Sequence, residues 1–152
     1  MKVGEALSLR SQQQARFQQL RERLKASAMV QEGESPPEDP AALLAELEAI
    51  AAELETLIAR INKTNLATTL ADGRTVTDAL ARRDHLGGLQ SALHQVAETA
   101  SVVQARYAKA ELRIVRTVDV GELRRKVDAL AKERRELDAS IQEANWQTEL
   151  LD

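Results

Sequence analysis

Apolar residues recur along most of this chain at alternating spacings of three and four, the period of a helix buried along one face. The cleanest run is Leu43, Leu47, Ile50, Leu54, Leu57 and Ile61, and Leu44, Ala51 and Ile58 add a parallel row at seven-residue intervals. A single seam serves one partner helix, whereas three rows make a face wide enough for more than one neighbour. The pattern predicts a helix over residues 40–61, with Asp39 as N-cap and Pro40 at the first helical position. An earlier helix is predicted over 3–29, with its seam at Phe17, Leu20 and Leu24; Arg10 and Gln13 hold the equivalent earlier positions, so that end is weaker. A long third helix starts near Thr77 or Asp78 and reaches about 113–117. Leu86, Leu93, Ala100, Tyr107 and Ile114 form one heptad position, and Leu89, Val96, Val103 and Ala110 form the other. A fourth follows Asp119, which is spaced to cap with Glu122, and continues through Leu123, Val127, Leu130, Leu137, Ile141 and Ala144, with Arg134 at a seam position.

The fold class expected is therefore all-α: four helical segments, long and antiparallel, in coiled-coil or bundle packing, forming one domain over residues 1–152. Residues 30–39, with two prolines and four acids, read as an exposed linker between the first two helices. One stretch breaks the helical period, "NKTNLATTLADGRTVTDAL" from Asn62 to Leu80. Its Asp72-Gly73 pair favours a type I′ turn, and the flanking residues tolerate strand geometry. A small β-hairpin near residues 66–77 is the expectation. Gly87-Gly88, inside the third helix, predicts a kink or a close backbone contact, since two glycines cost about 1–2 kcal/mol relative to alanines.

Composition supports the helical reading: aromatics are 2% of residues and charged residues 30%, the balance of long helices rather than of a globular core. No cysteine is present, so disulfides, thiolate metal sites and cysteine nucleophiles are excluded. The N-terminus has no signal-peptide h-region, and the most apolar stretch is interrupted by Glu every few residues. A cytoplasmic protein that does not enter the membrane is expected. Residues 31–60 carry eight acids against Arg60, and residues 106–135 carry ten basic residues against five acids. The acidic second helix is therefore expected near the basic third and fourth, within or between subunits. Basic clusters at 124–126 and 132–135 have interleaved acids and no aromatic platform, so nucleic acid is not an expected partner.

The densest polar chemistry lies in and just after the interruption: Asn62, Asn65, Asp72, Arg74, Asp78, Arg83, Asp84 and His85. Caps and turns explain many of these residues singly. The functional alternative is a site for a small anion or a divalent metal, with Asp84, His85 and Asp78 the leading ligands and Asp84 with His85 the metal pair. A metal-assisted hydrolase is the corresponding enzyme reading. The spacing Glu133-x-x-Glu136 followed by Glu149-x-x-Asp152 imitates paired magnesium-binding motifs, but no breaker separates them, and a continuous helix would hold them about 24 Å apart. No residue set specifies catalysis, and a non-catalytic structural or ligand-binding role is expected.

"INKTNLATTLADGRTVTDALARRD", with "TVDVGEL", "ELD" and "IQEANWQTELL", resembles the septicolysin-like family of small bacterial helical proteins. The resemblance implies a helical subunit in a homo-oligomer, a hexamer, of no established biochemical activity. The family label further implies a pore-forming toxin. Self-association is also expected from the residues, because a narrow, aromatic-poor helical protomer leaves much of its apolar face uncovered.

Overall fold

The computed structural model describes residues 1–106 and 114–152, with side chains described outside 102–113. Four helices follow one another: α1 (Val3–Ser27), α2 (Pro40–Ala67), α3 (Val76–Arg106) and α4 (Val120–Gln147). The described residues contain no strand longer than an isolated bridge, and none of their helices is long and apolar enough to cross a membrane. The chain forms two compact units, Met1–Thr69 with Ala144–Asp152, and Leu70–Glu143.

In the first unit α1 and α2 run in opposite directions. Gln13 donates to Glu53 at 2.8 Å, Arg16 pairs with Glu46, and Arg23 pairs with Glu38 of the linker. The paired acids of α2 thus meet α1. Asp39 caps α2 through Ala41 N at 3.0 Å, with Pro40 following it. The predicted seam is the buried one: Leu43, Ile50, Leu57 and Ile61 are buried, and Leu47 and Leu54 pack at its edge. Two apolar clusters result. Leu20, Leu43 and Ile50 form one, and Val3, Ala6, Leu57, Ile61 and Leu150 form the other. The weak part of the α1 seam lies between the two in sequence, where Arg10 Nε and Gln13 Oε1 are shielded without a hydrogen-bond partner among the described residues.

The C-terminal segment closes this unit. Lys2 pairs with Glu149 at 2.8 Å, Leu151 N donates to Thr64 Oγ1 at 3.0 Å, and Arg60 Nε donates to the Leu151 carbonyl at 2.9 Å. Gly4 lies directly under the Trp146 ring: a Cβ there would stand 2.8 Å from the nearest ring carbon.

The hairpin expected at residues 66–77 does not form. Helix α2 runs through Asn62 and Asn65 to Ala67, and the threonines end it: Thr68 N and Oγ1 both donate to the Thr64 carbonyl, at 2.9 and 2.8 Å. Eight residues then remain before α3, and they hold isolated bridge positions only, not two strands. In their place is a tight turn, with Gly73 N donating to the Leu70 carbonyl at 3.0 Å and Leu70 N to the Arg74 carbonyl at 2.8 Å. Gly73 has φ +86°, but no described non-glycine residue has positive φ. Asp72 therefore cannot be the first half of a type I′ pair.

In the second unit Thr75 opens α3 with a reciprocal cap: its hydroxyl donates to Asp78 Oδ2 at 2.8 Å and accepts from Asp78 N at 3.1 Å. Asp119 caps α4 as expected, accepting from Glu122 N at 2.9 Å. The α3 rows differ from the predicted ones. Leu86 is buried and Leu93 and Ala100 half-buried, whereas Leu89 and Val96 are exposed, and the row that turns inward is Arg83, Gln90 and Ala97. Tyr107 and Ala110 lie outside the described residues, as does the Val103 side chain; Ile114 is exposed and not helical.

Candidate functional site

Seam positions on a helix pair normally hold apolar residues. In the second unit α3 offers Arg83 and Gln90 there, and α4 offers Arg134. The two segments run in opposite directions, as the pairing of Arg82 with Glu133 and of Arg124 with Ser101 requires. Polar residues at facing seam positions open a cleft of about 490 Å³, lined by Arg83, Asp84, Gln90, Arg134, Arg135 and Asp138 together with two alanines.

Arg83 organises one side of the cleft. Its Nη1 donates to Asp138 Oδ1 at 3.1 Å, and its Nε and Nη2 donate to Asp84 Oδ1 at 3.3 and 3.2 Å. One guanidinium is thus shared by two carboxylates. Arg134 and Arg135 make no ion pair or hydrogen bond among the described residues. Gly87 explains how Arg134 fits: a Cβ at Gly87 would lie 3.3 Å from the guanidinium carbon and from Nε. The glycine pair was expected to bring a kink or a close backbone contact; the neighbour at Gly87 is the Arg134 side chain. Gly88 has nothing within 4 Å of its own Cβ position.

The structure separates the polar residues singled out from the sequence. Asn62 and Asn65 are helical residues of α2 in the first unit. Asp72 accepts from Arg74 N at 3.0 Å and pairs with the Arg74 side chain at 3.2 Å, closing the turn. Asp78 belongs to the α3 cap. Arg83 and Asp84 line the cleft, whereas His85 is exposed and is not among its lining residues. His94 is exposed too. Among the described residues no three His, Asp or Glu side chains gather as a metal would require. Among the described residues Asp84 and His85 therefore have no third His, Asp or Glu beside them.

Arg134, Arg135, Asp138 and Gln90 complete the cleft and were not singled out as ligands. The signals available were Arg134 at a seam position and, separately, a glycine pair inside α3. Reading the α3 heptads as 79, 86, 93 and 100 with 83, 90 and 97 would have put Arg83 and Gln90 on the same seam.

No curated protein matches this chain. The fold is similar to that in the crystal structure of a functionally unknown conserved protein from Corynebacterium diphtheriae, with a TM-score of 0.93 and 41% identity over 99% of each chain. Residues 10–150 match a family described as a family of unknown function, DUF6847. These matches overturn the septicolysin-like resemblance, and the hexamer and toxin it implied lose their basis. The motif that carried it serves the Thr68 cap, the Leu70–Arg74 turn and the Thr75–Asp78 cap, local geometry that is not specific to one function. The chain belongs to the family of unknown function DUF6847.

Proposed function

We propose that this is a non-catalytic helical binding protein whose second unit holds a small anion between α3 and α4. One observation carries the reading: Arg134 and Arg135 line a cleft without a carboxylate partner among the described residues, while Asp84 and Asp138 in the same cleft both pair with Arg83. Unpaired guanidiniums in a concave site are strong receptors for carboxylate or phosphate. The test is thermal unfolding in inorganic phosphate, sulfate and acetate against sodium chloride at matched ionic strength. One of the three anions should raise the melting temperature, and Arg135→Ala should remove the rise. Equal melting in all four salts would refute the reading.

A second reading, self-association, is favoured by the outer row of α2. Leu44 is 46% exposed, Ala51 is exposed and Ile58 is half-buried, while the inner row packs against α1. Coiled-coil packing against a second copy would cover that row. Light scattering coupled to size exclusion tests it, since a single species at the 16.8 kDa protomer mass would refute self-association.

A further inference from the structure

The cleft's second wall carries information about the body of the ligand. Asp84 and Asp138 each spend Oδ1 on Arg83, and the Oδ2 of each makes no hydrogen bond among the described residues. The Gln90 amide is likewise without a partner there. The lining therefore has two halves: unpaired guanidiniums, and carboxylate oxygens with spare acceptor capacity. Ligand pockets for small molecules span roughly 300–1,000 Å³, and this cleft, at about 490 Å³, is far larger than a bare tetrahedral anion needs.

Resting on the anion-binding reading, we infer that the cleft takes the phosphate monoester of a small hydroxylated molecule, a polyol phosphate. A phosphate monoester carries three strong acceptor oxygens, enough to accept from both Arg134 and Arg135, which make no ion pair among the described residues. Hydroxyl groups on its body donate to Asp84 and Asp138, and the Gln90 amide can donate or accept. A polyphosphate is disfavoured, because its further charges would meet those same carboxylates. A simple carboxylate offers two acceptor oxygens to the two arginines, against the three of a phosphate monoester.

The experiment is isothermal titration calorimetry of the full chain with glycerol 3-phosphate, inorganic phosphate, malate and ATP. Glycerol 3-phosphate should bind about tenfold or more tighter than inorganic phosphate, as one or two hydrogen bonds to charged carboxylates allow. Arg135→Ala, at an exposed position that leaves the helix seam intact, should weaken both. Asp84→Asn should reduce the preference for the ester while leaving inorganic phosphate bound as well or better, because it removes a negative charge. Equal affinity for the ester and for phosphate, or tighter binding of malate or ATP, would overturn the polyol-phosphate inference and leave the anion site standing. Binding of none of the four would overturn both.

Discussion

Replacing Gly4 with alanine tests the packing of the first unit at a single methyl group. That methyl would lie 2.8, 2.9 and 3.0 Å from three carbons of the Trp146 ring, against the 3.5–4.0 Å of an ordinary carbon contact. The indole must therefore retreat by about 1 Å. Overpacking of this kind costs about 1–3 kcal/mol. Trp146 is 58% exposed and has room to swing outward, which favours the middle of that range over its top. Alanine returns up to about 1 kcal/mol of helix propensity, so the net destabilisation should be about 1 kcal/mol, a urea midpoint lower by roughly 0.3–1 M. Trp146 is the one tryptophan of the chain, so its fluorescence follows the first unit selectively, and the native emission should shift to the red as the ring leaves Gly4. The control is a double-mutant cycle with Trp146→Ala read by circular dichroism, in which Gly4→Ala should become neutral or stabilising. An equal penalty from Gly4→Ala in both backgrounds would refute the reasoning.

Gly87→Ala and Gly88→Ala form a second comparison, because the two glycines share one helix and one propensity gain of about 1 kcal/mol. Gly88→Ala should raise the melting temperature and leave anion affinity unchanged. Gly87→Ala should gain less and weaken anion binding, since its methyl displaces Arg134; identical behaviour of the pair in melting and titration would contradict this. The Glu149 carboxyl is held below the ordinary carboxylate range by the hydrogen bond from Lys2 and then by that from the Met1 amino group. Its pKa is lower folded than unfolded, so the stability it contributes is present above the unfolded value and lost as pH falls through the folded one. Wild type should therefore exceed Glu149→Gln in urea midpoint near neutral pH, with the gap closing below about pH 4; a gap independent of pH would remove the ion pair as its cause.

Helix identity was legible in the sequence because burial along one face imposes its period on every turn. The inner row of α2, the Asp39 cap with Pro40, and the Asp119 cap of α4 are each written within a few consecutive residues. The hairpin was misread for a related reason: Asp72-Gly73 is a turn signal, but local preference does not say where the preceding helix stops. Thr64 and Thr68 decided that, carrying α2 past both asparagines and leaving room for a turn alone.

The candidate site was half legible. Arg83 and Asp84 were picked from a polar cluster, while Asn62, Asn65, Asp72, Arg74 and Asp78 shared that cluster for capping, turn-making or plain helical reasons. Arg134 was visible as a polar residue at a seam position, and Gly87 as a helix glycine in want of a reason. Their relation was not visible, because forty-odd residues separate them along the chain and helical period gives a face without naming its partner. The sequence by itself determined that helices form, where most of them begin and which rows are apolar, all consequences of contacts within one or two turns. Only the tertiary structure decided which α3 row faces α4, that Arg134 lies against Gly87, and that two arginines have no carboxylate partner among the described residues, because these depend on the register between segments distant in the chain.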